Sequence, residues 1–239
     1  MLSIPLGPFR PSPGNLTGEK LKMKDVVIKP VYIFSGLGTD ERVFKDIDLT
    51  GYSPVFVKWI APYKDETIEN YSRRLTTQIT SDHPTLIGLS FGGMVAMEVC
   101  KHIEAEHLIL IASAKTKNEI PFYFRMAGYL RLDRLVPTAW MKSPNFIDNW
   151  LFGLTGESDK RLLKEILEDT DPAFLRWAIN QILHWKNNQT FSKVTHIHGR
   201  SDRILPYRFI NADISIDQGG HFMTVNKSDE LTRVIRDLL

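Results

Sequence analysis

Short apolar runs alternate with amphipathic stretches through the first half of the chain. The apolar runs are rich in β-branched and aromatic residues, which is typical of strands, and they occupy 26–36, 53–62, 84–90 and 107–114. The stretches between them have helical patterns and occupy 40–49, 66–82 and 91–106, with Thr67 as a candidate helix cap. Strands that alternate with helices predict a parallel sheet joined by crossover helices.

The alternation stops at about Lys115. Residues 116–190 are predicted to be mainly helical and hold four of the five tryptophans. Strand-like patterns return at 193–200 and 212–218, and an amphipathic helical pattern with Ser228 as its candidate cap closes the chain. The pattern therefore predicts an α/β core, 25–115 and 191–239, that is interrupted by a helical cap, 116–190.

The first 24 residues differ from the rest. Prolines 5, 8, 11 and 13 fall within this short stretch, together with several glycines. A signal peptide would need a basic start and an unbroken apolar core, and neither is present. We expect residues 1–24 to be a flexible leader, and Met23 is an alternative start.

A nucleophile motif stands between a predicted strand and a predicted helix. Residues 88–92 have the pattern G-x-S-x-G, with Ser90 at its centre. A nucleophile on so sharp a turn needs a strained backbone and leaves no room for side chains two positions away, where Gly88 and Gly92 stand. This context predicts that the hydroxyl of Ser90 projects above the sheet.

Serine needs a histidine base, and the histidine needs an acid that fixes its tautomer. Asp202 follows the strand pattern at 193–200, and His221 follows the pattern at 212–218. The order Ser, Asp, His and the placement after strands fit a triad of Ser90, Asp202 and His221. Five other carboxylates are rival acids: Glu168, Asp169, Asp171, Asp213 and Asp217.

A tetrahedral oxyanion needs converging N–H donors. The amide after the nucleophile, that of Phe91, is one candidate donor. The loop after the first strand, 34–38, should supply the other, and we assign it to Leu37 beside Gly36.

Four short segments resemble the signature sites of the α/β-hydrolase superfamily and occur in the same order: SGLG, GLSFGG, GRSDRILP and GGHF. The resemblance covers about 25–239. The resemblance implies a mostly parallel sheet of roughly eight strands, flanked by helices, with a helical cap after the sixth strand. The chain departs from the pattern in two places. Many relatives have His-Gly where Ser35-Gly36 stands here, and the N-terminal hairpin strands look short or absent.

The composition excludes several other classes of protein. The chain of 239 residues is 43% hydrophobic and 24% charged, which excludes a disordered, collagenous or coiled-coil protein. A net charge of +2 gives no electrostatic footprint for nucleic acid. The single cysteine, Cys100, excludes an internal disulfide, and we expect a cytoplasmic protein and a buried core thiol. No apolar run approaches the roughly 18 residues of a membrane span.

Two histidines and the aromatic residues of the cap are further candidates. His196 and His198 have H-x-H spacing on one strand, and we expect a structural role, no metal and no cofactor. Aromatic cap residues can line an apolar pocket, and we assign substrate binding to Gly36, Phe122, Phe124, Trp140 and Trp150. Residues 115–150 carry six basic and three acidic side chains, which mildly favours an anionic acyl group or carrier.

These observations predict a serine hydrolase that cleaves an ester or thioester of a small to medium apolar acyl group through an acyl-enzyme on Ser90. A carbon–carbon bond hydrolase or lyase on the same triad is the first alternative. A non-catalytic binding protein of the same fold is the second. The expected partner is a small-molecule substrate, with contact to a membrane surface unlikely, while the exact substrate and the oligomeric state stay open.

Overall fold

Six parallel strands form one sheet in the computed structural model, which describes residues 29–131, 152–154 and 156–239. The strands are β1 (Pro30–Phe34), β2 (Ser53–Phe56), β3 (Thr85–Leu89), β4 (His107–Ile111), β5 (Val194–Gly199) and β6 (Ile214–Ile216). Their order across the sheet is β2-β1-β3-β4-β5-β6. The predicted class, a parallel α/β sheet flanked by helices, is confirmed, with six strands in the described part where about eight were expected. The predicted leader lies outside the described residues.

Seven α-helices accompany the sheet in the described ranges. They are α1 (Ile68–Leu75), α2 (Phe91–Val99), α3 (Phe122–Tyr129), α4 (Glu157–Asp169), α5 (Pro172–His184), α6 (Met223–Asn226) and α7 (Ser228–Leu238). Short 3-10 turns occupy Glu41–Phe44, Thr76–Gln78, Lys117–Glu119 and Tyr207–Phe209.

Several predicted elements were too long. The helix predicted over 91–106 ends at Val99, because the amides of Lys101 and His102 bond three residues back and tighten the last turn. The helix predicted over 66–82 ends at Leu75, where the hydroxyls of Thr76 and Thr77 bond the carbonyls three residues before them. The strand predicted over 53–62 ends at Phe56, and the amide of Val57 makes one further bond to the carbonyl of Ile33 at 2.9 Å.

The two candidate caps have different outcomes. Thr67 caps α1, since its side chain accepts a hydrogen bond from the amide of Asn70. The expectation for Ser228 was wrong: Ser228 is the first helical residue of α7, and the position before it, Lys227, makes no side-chain cap. Packing compensates there, because Leu231 and Ile235 of α7 are fully buried.

Both faces of the sheet are covered, as a parallel sheet requires. Alternate residues of the central strands enter two separate apolar clusters. In β4, Leu108 and Leu110 join one cluster, and Ile109 and Ile111 join the other. The central strands are therefore almost continuously apolar, and their carboxyl ends share one edge, where polar side chains can gather.

Helices α3, α4 and α5 lie between β4 and β5, within the stretch 116–190 that we call the cap segment. Helix α5 begins at Pro172 and is capped by Asp171, whose carboxylate accepts the amide of Ala173 at 2.9 Å. At its other end, the indole of Trp185 donates to the buried carboxylate of Glu98 in α2 at 2.8 Å. That contact fixes this end of the cap segment against the core. In the described ranges, no helix is long and apolar enough to cross a membrane.

Candidate active site

The turn at Ser90 connects β3 to α2 in a strained conformation. Its φ is 51° and its ψ is −121°, a region that costs a non-glycine residue about 1–3 kcal/mol. The backbone amide of Ser90 donates to the carbonyl of Ile111 at 2.9 Å, and the hydroxyl of Ser113 donates to the carbonyl of Ser90 at 2.6 Å. The serine backbone is thus fixed from both sides by the neighbouring strand and the loop that follows it.

The glycines around Ser90 are required by close backbone contacts. A Cβ at Gly92 would overlap the carbonyl oxygens of Phe34 and Ser35, and a Cβ at Gly88 would overlap the Cα of Gly93. These obstacles are main-chain atoms, which cannot rotate away as a side chain could. Strand β1, strand β3 and helix α2 can therefore approach closely enough to form the turn.

The substitution Gly92→Ala tests this packing. We expect it to lower the free energy of unfolding by more than the 1–3 kcal/mol usual for overpacking, because a main-chain shift is needed to remove the overlap. Denaturant unfolding measures the change. Gly156→Ala is the matched control, since its new Cβ would meet the movable side chains of Asp159, at 3.2 Å, and Ser158, at 3.5 Å. Equal stability of the two variants would contradict the packing argument.

Ser90, His221 and Asp202 form one chain of hydrogen bonds. Ser90 Oγ lies 2.8 Å from His221 Nε2, and His221 Nδ1 lies 2.7 Å from Asp202 Oδ2. When the ring is neutral and its Nδ1–H donates to the carboxylate, the lone pair of Nε2 faces the serine hydroxyl. The structure thus brings together the three residues that the sequence grouped, from the ends of β3, β5 and β6.

The environment of Asp202 keeps it ionised. Burial raises its pKa, but the neighbouring rings of His221 and His198, the hydrogen bond from His221 and the amide of Leu205 outweigh burial and hold the pKa below its usual value. The second carboxylate oxygen accepts the amides of Ile204 and Leu205, both at 2.9 Å. The side chain therefore has a fixed orientation and a full negative charge at neutral pH.

His198 packs behind this carboxylate. Its Nε2 donates to the carbonyl of Leu205 at 2.8 Å and lies 3.4 Å from Asp202 Oδ2. Burial lowers the pKa of His198 more than the nearby carboxylate of Asp202 raises it, so the ring is neutral at pH 7. The ring of His196 packs edge-on at 5.2 Å, and burial lowers its pKa well below the usual value.

The rival carboxylates have other partners. Asp213 accepts the amide of His196 at 2.8 Å and pairs with Lys115, while Asp217 pairs with Arg200 at 3.0 Å. Asp169 pairs with Arg42 at 2.8 Å, Asp171 caps α5, and Glu168 lies 3.8 Å from Lys164. Of the six carboxylates considered, Asp202 is the one placed against His221.

The loop after β1 reaches the nucleophile. A Cβ at Gly36 would lie 3.6 Å from Ser90 Cβ, and Leu37 packs against the same apolar cluster as Phe91. Within the described ranges, neither the amide of Leu37 nor that of Phe91 has a backbone acceptor in the loops and turns. This placement is compatible with two free donors beside Ser90.

The residues predicted to bind substrate and the single cysteine do not share one location. Phe122 is 55% exposed and packs against Tyr123 and Phe209, and Phe124 borders the apolar cluster of Phe91. Trp140 and Trp150 lie outside the described residues. Cys100, predicted to be a buried core residue, is partly exposed. Burial of its thiol nevertheless raises the pKa of that group to about 12, so the thiol stays protonated.

Sequence reasoning missed the aromatic cluster beside Phe91. The ring centroid of Trp59 lies 5.8 Å from that of Phe91 and 5.6 Å from that of Phe174. Trp59 follows β2 at the carboxyl edge of the sheet, where parallel sheets gather their sites, and that position was a usable signal. Nothing local in the sequence pairs it with Phe174 of the cap segment.

This arrangement has the parts needed for acyl transfer: a hydroxyl, an imidazole nitrogen against it, a buried carboxylate behind the imidazole, and main-chain amides nearby. Among the described residues, no group of histidine, cysteine and carboxylate side chains could hold a metal ion.

Comparison with solved structures identifies the fold. A carboxylesterase of Nitrososphaera gargenis superposes with a TM-score of 0.65 at 14% identity, over 89% of this chain and 90% of that one. A thermophilic esterase from Thermogutta terrifontis superposes with a TM-score of 0.61 at 18% identity, over 87% of this chain and 88% of that one. A bromoperoxidase from Bacillus anthracis superposes with a TM-score of 0.61 at 16% identity, over 88% of this chain and 91% of that one. No family model and no curated protein sequence matches the chain. Likenesses at such low identity bear on the fold alone, and the fold is that of the α/β-hydrolases.

Proposed function

We propose that this chain is a serine hydrolase that cleaves a carboxylic ester or thioester through an acyl-enzyme on Ser90. The observation that carries the proposal is the hydrogen-bonded chain from Ser90 Oγ through His221 to the buried Asp202. A serine on a strained turn with positive φ, aligned with a histidine ring nitrogen, has no evident structural use.

In the proposed mechanism, His221 Nε2 takes the proton of Ser90 as its oxygen attacks the substrate carbonyl. The amides of Leu37 and Phe91 donate to the oxyanion that forms. Asp202 stabilises the imidazolium through Nδ1–H without taking its proton. His221 then protonates the leaving alcohol or thiol, and a water activated by the same nitrogen releases the acid.

The fold agrees with this chemistry without fixing it. Two of the structural neighbours are described as esterases, and a third is described as a bromoperoxidase. A shared fold hosts many reactions, so the proposal depends on the geometry of the site and not on those names.

A fluorophosphonate probe and a panel of p-nitrophenyl esters, from acetyl to long acyl, test the function. We expect one label per chain, mapped to Ser90 by mass spectrometry, and hydrolysis with an optimum at short acyl length. Labelling of Ser90 with no turnover of any ester or thioester would favour the carbon–carbon bond hydrolase or lyase. Folded protein that neither reacts with the probe nor turns over any ester would favour the non-catalytic binding protein.

A further inference from the structure

His198 occupies a strand position that would suit an apolar residue. It lies near the end of β5 on the same face as His196, which pairs with Leu110 of the neighbouring strand β4. Its side chain is fully buried, and its Nδ1 makes no hydrogen bond among the described residues. A buried nitrogen without a partner costs free energy, which an apolar side chain would avoid. A histidine at this position therefore points to a use other than packing.

The other ring nitrogen of His198 holds the loop that carries Asp202. His198 Nε2 lies 2.8 Å from the carbonyl oxygen of Leu205, and because a carbonyl oxygen only accepts, Nε2 carries the proton. The backbone amide of Leu205 in turn donates to Asp202 Oδ1 at 2.9 Å. His198 thus binds the same residue whose amide fixes the carboxylate.

The N–H of His198 also faces the triad directly. His198 Nε2 lies 3.4 Å from Asp202 Oδ2, the oxygen that contacts His221 Nδ1 at 2.7 Å. Both side chains of the His198 and Asp202 pair are fully buried, so the attraction between the N–H dipole and the carboxylate is weakly screened. Asp202 is therefore held at both oxygens, with Oδ1 on backbone amides and Oδ2 between two histidine rings.

A neutral ring suits this place behind the carboxylate. Burial lowers the pKa of His198 and keeps the ring neutral despite the neighbouring Asp202. The rings of His196, at 5.2 Å, and Tyr207, at 6.3 Å, pack around it. A second cation beside Asp202 would compete with the imidazolium of His221 for the same negative charge. A neutral N–H orients the carboxylate and leaves its charge to His221.

We propose that His198 is a positioning residue of the triad: its Nε2–H holds the carboxylate of Asp202, directly and through Leu205, in the place from which Asp202 orients His221. In the described contacts, no hydrogen bond of His198 reaches Ser90 or His221, so it acts through Asp202. This deepens the proposed function and rests on it.

Replacing His198 by leucine fills the site and removes the N–H. We expect kcat for p-nitrophenyl acetate to fall by about 10- to 100-fold, the effect of displacing a catalytic group by about 1 Å. KM should stay within about twofold, because the change acts on the base and not on substrate binding. Fluorophosphonate labelling should slow by a similar factor and still reach one label per chain, which shows that every molecule is folded.

The variant His198→Gln should restore the rate. The side-chain amide nitrogen of glutamine ends near the position of Nε2 and can donate to Leu205, so kcat should return to within about threefold of the native value. His198→Asn carries the same amide group one carbon shorter, near the position of Nδ1, and should stay slow. This pair separates the N–H at one place from polarity alone, and it decides the matter even if the leucine variant does not fold.

His107→Leu is the matched control. It makes the same change at the start of the neighbouring strand β4, at the opposite edge of the sheet from Ser90, where His107 Nε2 contacts Thr195 Oγ1 at 2.8 Å. This variant loses one buried contact of a histidine but none behind the triad. Its kcat, KM and labelling rate should therefore match those of the native enzyme.

Several results would overturn the positioning role while the proposed function stands. They are native kcat in both His198→Leu and His198→Asn, equal losses in the glutamine and asparagine variants, a loss confined to KM, and a labelling end point that falls together with kcat. If the native protein is labelled but hydrolyses no ester or thioester, the ester function is lost and the labelling rates of the variants decide the role of His198. Folded native protein that is neither labelled nor active would remove both proposals.

Discussion

Replacing Ser90 by alanine should abolish turnover, with a fall in kcat of at least about 10⁴-fold and up to the 10⁶-fold range known for triad serines. The reason is that Ser90 Oγ is the atom aligned on the lone pair of His221, at 2.8 Å, and no other hydroxyl replaces it in that contact. Steady-state ester hydrolysis and fluorophosphonate labelling both measure the loss. Residual activity above the uncatalysed rate should come from the oxyanion donors and binding alone.

The control for this variant is Ser158→Ala, which makes the same chemical change on the exposed side of α4. It should leave kcat and labelling unchanged. Ser90→Ala should also keep its fold, since the backbone bonds to Ile111 and Ser113 involve no atom of the Ser90 side chain. A Ser90→Ala enzyme that still forms an acyl-enzyme would place the nucleophile elsewhere.

A second variant makes the test sharper. If Ser90 and His221 act as one unit, adding His221→Ala to Ser90→Ala should lower kcat little further. Without the serine hydroxyl, His221 has no proton to accept. If the two losses in kcat multiplied, the two residues would contribute independently. The direct hydrogen bond between them argues against that outcome.

The site was predictable where a local pattern has a single geometric meaning. The glycines at 88 and 92 imply a turn too tight for side chains, and the structure shows the main-chain contacts that require them. Chain order and placement after strands were enough to group Ser90, Asp202 and His221, since the carboxyl ends of parallel strands meet at one edge. The coordinates add the contacts that occupy the rival carboxylates, such as the ion pairs of Asp213 with Lys115 and of Asp217 with Arg200, which no local pattern predicts.

Element ends and the contacts of the cap segment were not predictable in this way. The helix after Ser90 stops at Val99, although apolar and charged residues suited to a helix continue beyond it. The aromatic cluster beside Phe91 joins residues as distant as Trp59 and Phe174, neither of which has a motif. Such contacts depend on how the cap segment packs on the sheet, and the hydrophobic pattern encodes only which faces are buried.

The contacts between the cap segment and the loop after β1 link the cap segment to a proposed oxyanion donor. Thr170 bonds the carbonyl of Gly38, one residue after Leu37, and Arg42 joins Asp40 of the loop to Asp169 at the end of α4. A change in the cap segment that moves Thr170 would therefore move the loop that carries a proposed donor.

The variant Asp202→Asn should lower kcat by about 10⁴-fold while the protein stays folded. The asparagine oxygen can keep the two amide bonds from Ile204 and Leu205. Its NH₂ group would then face His221 Nδ1 and, being a donor, would favour the tautomer that carries its proton on Nε2. A histidine of that form cannot accept the proton of Ser90.

Asp217→Asn is the matched control, because it makes the same change on an exposed carboxylate that pairs only with Arg200 in the described contacts. It should retain native kcat, and both variants should unfold at denaturant concentrations close to that of the native protein. A nitrogen-detected NMR spectrum of the His221 ring would show the change of tautomer directly. Native turnover in Asp202→Asn, or an equal loss in Asp217→Asn, would mean that the acid partner of His221 acts in some way other than through the 2.7 Å contact to Nδ1.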